Sequence, residues 1–212
     1  VSAYCAKPIV GGHALYIVDT VTIDSSSFIQ AIILALFVTP FAIIFGYFAK
    51  KASSHRITGK EILWTLPFAF LILGVLSAYL PIFMGNGQVL AQWIFSGNSS
   101  ADLPVILIIK CLLVCLLLRS GAYGGTLTPS FALGVGTGYL ITVLLGNFGF
   151  SHSLSLGMLL GATVFLGTTL DAPLTGIALV VGFTGTGGVI VFPLILASIL
   201  SKIINNKWKK RL

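Results

Sequence analysis

The sequence predicts an all-α membrane protein in which full crossings are mixed with re-entrant and half-crossing helices. Three observations carry this. Hydrophobic residues make up 57% of the 212 residues and charged ones only 8%, and mean hydropathy is +1.06, values far outside the range of soluble domains. Uncharged runs cover residues 25–49, 62–101, 120–170 and 172–201, and the shortest already exceeds the roughly 20 residues that a spanning helix needs. The longer runs hold glycine, threonine and proline at membrane depth, so they must fold back within the bilayer.

Residues 1–27 read as the end of a helix and a polar connection carrying Asp19 and Asp24, with Ser25, Ser26 and Ser27 suited to capping the next helix. A span over 28–49 closes at the basic loop "KKASSHRITGKE". A second span, 62–83, ends in "GNGQ", and a short apolar segment at 89–95 is stopped by "SGNSSAD". That segment is too short to cross and is expected to be re-entrant or interfacial. Asp102 lies near the start of the next span, which reaches Leu118 and meets Arg119. After "GAYGGTLTP" a helix should run over 129–145 and turn at "GNFGFSHS". Residues 154–169 and 173–183 are two shorter apolar helices around "TTLDAP", read as paired half-crossings. A last helix, 189–205, ends in "NNKWKKRL". The domains expected are thus 1–27 as a helix end with its connecting loop, 28–205 as the membrane domain, and 206–212 as a basic cytoplasmic tail.

Charge placement tests this order. The net charge of +7 could suggest a nucleic-acid partner, but the bases sit at element ends, where they act as topology signals. With Lys50, Lys51, Arg56 and Lys60 cytoplasmic, the proposed crossings bring Arg119 and Lys202 back to the same side and leave Asp19, Asp24 and Asp102 outside. Trp64 and Trp208 fall at the inner interface, and the C-terminus is cytoplasmic. The tail "KWKKR" reads as a stop and an anionic-lipid contact. Cys5, Cys111 and Cys115 have no metal-ligand spacing and read as packing residues. His13, His55 and His152 are scattered and share no such spacing either, so no metal is expected. The chain opens on Val1 with no charged and apolar leader, and reads as a piece of a longer polypeptide.

The chemistry lies in Gly124-Gly125-Thr126-Leu127-Thr128-Pro129. Proline is comfortable in a first helical turn, and glycines ahead of it permit an unwound, tightly turning approach. The helix therefore begins at 126–129, and few residues separate it from the cytoplasmic Arg119, which places that end inside the membrane. There the N–H groups of Gly125, Thr126, Leu127 and Thr128 lack helical partners, and the helix dipole adds positive potential. Such an end attracts an anion by about 0.3–1 kcal/mol, up to ~2 when partly buried, so several must converge to hold an ion stripped of water. Weak, shared attraction suits conduction, because the ion must also leave. The alternative is a glycine-rich packing contact between spans.

"SGAYGGTLTPSFALG" resembles the GGxFxP segment of CLC chloride channels and chloride/proton exchangers. Forty-odd residues on, "DAPLTGIALVV" is similar to that family's RAPLTG segment and "VFPLIL" to the stretch after it, while "GNGQVLAQWIFSGN" is a looser match to a glycine-rich re-entrant helix. The resemblance extends over roughly residues 1–205 and implies the second repeat of a CLC-type inverted-repeat helical bundle. It implies that backbone amides of Thr126 and Leu127, flanked by Gly125 and Thr128, line a central chloride site supported by Gly124 and Pro129. It also implies a plasma-membrane homodimer with one pore per subunit, chloride as substrate and no cofactor. The GSGIP and GKxGPxxH segments, the latter carrying the gating glutamate, would lie in an N-terminal half that a complete pore needs and this chain lacks. The family's inner tyrosine has no counterpart in "NNKWKKRL", Leu127 stands where phenylalanine is usual, and Asp171 where arginine is usual.

Several residues carry two readings. Asp171, ahead of Ala172 and Pro173, reads as a helix cap, with proton transfer as the alternative. Lys110, mid-span, has either a buried partner or a snorkelling tip, or else it adds to a pore's positive field. Thr168 and Thr169 are expected to bond back to helix carbonyls, with lining a pore as the alternative. Leu174 and Val191 fall on the two helices that in the family form much of the dimer contact, with a plain core or lipid-facing role as the alternative. An intramembrane enzyme would need a convergent acid–base pair or a metal motif at depth, and the uncharged runs supply none. The remaining rival to transport is a half-subunit that does not conduct alone.

Overall fold

The computed structural model describes residues 14–21, 23–98, 101–148 and 153–209. The helix end expected in the first residues, Cys5, His13 and His152 lie outside these. Eight α-helices occur among the described residues: α1 Ser25–Ser54, α2 Ile62–Tyr79, α3 Gln88–Phe95, α4 Leu103–Arg119, α5 Leu127–Asn147, α6 Leu154–Thr169, α7 Pro173–Thr184 and α8 Val191–Lys209. No strand occurs among them. Helices α1, α2, α5 and α8, the second and fourth with their preceding short turns, are long and apolar enough to cross a membrane.

Local chemistry accounts for the helix ends. Asp24, not the serine run, caps α1: its N–H donates to Ser27 Oγ at 3.0 Å, and the serines form the first turn. The helix runs on past residue 49 because Lys50 and Lys51 are good helix formers and sit favourably at a C-terminus. At the far end of α2 the chain leaves the helix at Leu80, since a residue before proline is pushed to extended backbone. Gly85 and Gly87, at φ +66 and +110, then turn it into α3. The last helix reaches Lys209, so residues 206–209, expected in the tail, are its final turn.

The core is organised around α6, where every residue from Ser155 to Thr168 is buried. It is enclosed by α1, α5, α7 and α8, and its closest approach is to α5. A Cβ on Gly134 would lie 2.7 Å from Ala162 Cα, and one on Gly161 would lie 2.6 Å from Gly138 Cα. Paired small residues four apart let two backbones touch, and here Gly134 and Gly138 face Gly157 and Gly161. Packing glycines therefore exist, but they are not Gly124 and Gly125. By contrast α2 buries only Ala69, and an apolar groove of about 940 Å³ remains open between α1, α4 and α5.

Apart from Lys110, the described basic residues gather at one end of the bundle. There the Ile57 N–H donates to Arg119 O at 2.9 Å, Thr65 Oγ1 to Ser120 O at 3.1 Å, and the Arg56 guanidinium lies 4.0 Å from the Tyr123 ring centroid.

Candidate anion site at a helix N-terminus

Residues 120–126 connect α4 to α5 and create the site. The last turn of α4 closes with Ser120 N–H donating to Leu116 O and Ala122 N–H to Leu117 O, around Gly121 at φ +111. Glycine alone adopts that backbone freely. The tight turn expected of Gly124 and Gly125 is thus made three residues earlier, and those two glycines lie in irregular chain with positive φ at neither. A Cβ added to either would meet nothing within 4 Å, so the described residues set no packing reason for glycine there.

The α5 ladder starts when Ser130 N–H donates to Thr126 O at 2.9 Å. Pro129, buried in the first turn, has no N–H to lose. Among the described residues no backbone acceptor takes the amides of Gly125, Thr126, Leu127 or Thr128, and all four are at least partly exposed. Gly124, Gly125 and Thr126 line a cavity of about 740 Å³ at the basic end of the bundle. Its α1 wall extends from Ala42 to Ser54, roughly 18 Å along the helix at 1.5 Å per residue.

Lys110 supports this turn from behind. It is buried, and its Nζ donates to Phe83 O at 3.0 Å and Gly85 O at 2.9 Å, which is the buried-partner reading. Two residues on, Gly87 lies against α5, where a Cβ would sit 3.0 Å from Ala132 Cβ and 3.5 Å from Thr128 O. The ammonium therefore holds the loop that abuts the first turn of α5.

Asp171 is not a cap. Ala172 occupies the cap position of α7 with no side-chain cap bond, and Asp171 stands in the left-handed region at φ 56. That geometry turns its carboxylate toward α8, where Lys202 Nζ lies at 2.6 Å and Lys209 Nζ at 2.8 Å. The Lys202 and then the Lys209 ammonium hold its carboxyl below the usual carboxylate range. Thr169 does bond back, to Phe165 O at 2.9 Å, but Thr168 Oγ1 instead pairs with Ser201 Oγ at 2.6 Å, because α8 passes close enough to offer it a hydroxyl.

Sequence reasoning did not single out Asn205, and read Lys50 only for its sidedness and Lys209 only as part of the basic tail, yet all three line the cavity with Asp171. The available signal was a lone acid in an apolar stretch with lysines seven residues apart on α8. Leu174 is 78% exposed and Val191 partly so, both away from the cavity. No group of three or more His, Cys, Asp or Glu that would hold a metal occurs among the described residues.

Membrane-length apolar helices around a buried glycine-rich helix, with a bare helix start beside an open cavity at the basic end, define a multi-pass α-helical membrane protein. The chain belongs to the CLC family: the family model for the voltage gated chloride channel matches residues 1–206. It is 30% identical over 167 residues to the H(+)/Cl(-) exchange transporter ClcA of Vibrio cholerae, covering 75% of this chain and 36% of that protein. It is 28% identical over 154 residues to the voltage-gated ClC-type chloride channel ClcB of Escherichia coli, covering 67% and 35%. Among solved structures, a slow cyanobacterial Cl-/H+ antiporter superposes with a TM-score of 0.79 at 21% identity, over 95% of this chain and 49% of that one. A CLC-type fluoride/proton antiporter gives 0.71 at 19%, over 94% and 50%. The fold is the all-helical one of these antiporters, and the chain spans about a third of the curated relatives' length and half of the solved chains'.

Proposed function

We propose that this chain is the second repeat of a CLC-type protein that moves chloride across the membrane as a channel or a chloride/proton antiporter. The amides of Gly125, Thr126, Leu127 and Thr128 hold the ion, and Gly124, Pro129 and Lys110 support them. The observation that carries the reading is the bare start of α5, with four amides that no backbone acceptor takes among the described residues, of which those of Gly125 and Thr126 belong to residues lining a cavity walled by Lys50 and Lys209. Backbone amides bind an anion without a full opposite charge, so the ion is attracted and still released. The reading needs no cofactor. It places the basic end in the cytoplasm, the protein in the plasma membrane and two copies in a homodimer meeting through α7 and α8.

A second reading, that the chain does not conduct alone, is favoured by the open groove of about 940 Å³ between α1, α4 and α5. A further membrane segment, the other repeat, would close it. Chloride efflux from liposomes tests both. The chain reconstituted alone should release chloride no faster than empty vesicles, and co-reconstitution with a polypeptide supplying the other repeat should restore efflux. Efflux from the chain alone would sink the second reading, and none with both parts would sink the first.

A further inference from the structure

We propose that the cavity at the basic end is a vestibule that concentrates small hydrated anions through Lys50 and Lys209, and that Asp171 sets the strength of this attraction by masking Lys209. The proposal deepens the transport reading by naming what governs anion supply to the same helix start.

A space of about 740 Å³ has room for some twenty-five waters at ~30 Å³ each. An anion entering it keeps its hydration shell, so summed charge rather than direct ligands decides its local concentration. The charged lining consists of two ammoniums, Lys50 and Lys209, and one carboxylate, Asp171. Asp171 touches Lys209 at 2.8 Å and Lys202 at 2.6 Å, whereas no ion pair to Lys50 occurs among the described residues. Lys50 thus acts openly and Lys209 under a mask. The backbone at Asp171, φ 56, is one that Asn accepts as readily as Asp. Asp171→Asn therefore removes the charge while keeping the turn.

Trp208 lines the same cavity and reports on it without any transport step. In the full chain in detergent, with Trp64 and Trp93 replaced by Phe, Trp208 fluorescence is quenched in parallel by iodide and by neutral acrylamide. The ratio of the two quenching constants measures local anion excess, and acrylamide cancels any change in exposure caused by loosening α8. A unit charge about 8 Å away across water changes anion density roughly twofold. Asp171→Asn should therefore raise the ratio about twofold and Lys50→Gln should lower it by a similar factor. Both changes should collapse in 1 M salt, where the screening length is about 3 Å. A ratio unchanged or lowered in Asp171→Asn, or unmoved in Lys50→Gln, overturns the proposal. Absence of chloride flux from vesicles that also hold the other repeat, with these ratios as expected, would instead defeat the transport reading and leave the vestibule standing.

Discussion

Gly125 and Leu127 contribute the same group, an amide, and differ in what their side chains do. Because a Cβ at Gly125 would touch nothing in the described chain, Gly125→Ala should fold and melt as the parent does. In vesicles that also hold a polypeptide supplying the other repeat, it should nevertheless cut chloride flux by on the order of tenfold, since a methyl beside the amides would displace an ion held by ~1–2 kcal/mol. Leu127→Ala keeps the amide and should cost flux less. Equal losses in liposome efflux would argue against an amide site. Lys110 makes a contrasting case, where charge serves architecture. Lys110→Met strands the buried carbonyl of Phe83, at about 1–3 kcal/mol for a buried unsatisfied group, and releases the more exposed carbonyl of Gly85. Hydrogen exchange over residues 83–88 should quicken, and a protected loop in the variant would show that the ammonium is not its anchor.

At the scale of elements, the contact between α5 and α6 organises the bundle. Backbone meets backbone where Gly134 and Gly138 cross Gly157 and Gly161, so side chains cannot adjust to an intruder. Gly161→Val should destabilise by about 1–3 kcal/mol or more, read as a lower melting temperature and loss of a monodisperse peak in detergent. Gly74→Ala is the control, since a Cβ there meets nothing within 4 Å, and a comparable loss in both would remove the crossing from the explanation. The helices themselves were legible from hydrophobic runs and breakers: α6 falls at the residues expected, and α3, α4, α5 and α7 within a residue or two. The overshoots at the ends of α1 and α8 share a cause, because lysine marks a membrane boundary without breaking a helix.

For the whole molecule, the exposed faces outnumber what one chain can cover. Leu174 at 78% and Phe192 at 62% exposure stand on α7 and α8, which the homodimer reading joins across a two-fold axis. Leu174→Cys in membranes should form a disulfide-linked dimer under mild oxidation, while Leu63→Cys on outward-facing α2 should not, and the reverse result would move the interface. The sequence by itself determined that this chain lives in a bilayer, where its helices break, which end carries the bases, and that a helix starts bare at residues 126–129. All of these follow from local composition, from the cost of unpaired backbone in lipid and from the absence of an N–H in proline. Only the tertiary structure decided that Gly121 rather than Gly124 makes the turn, that Asp171 reaches across to Lys202 and Lys209 instead of capping α7, and that Thr168 pairs with Ser201. The Asp171 and Thr168 contacts depend on which helix passes within hydrogen-bonding distance, and neighbours set 31 to 38 residues apart in the chain leave no period in the sequence to read.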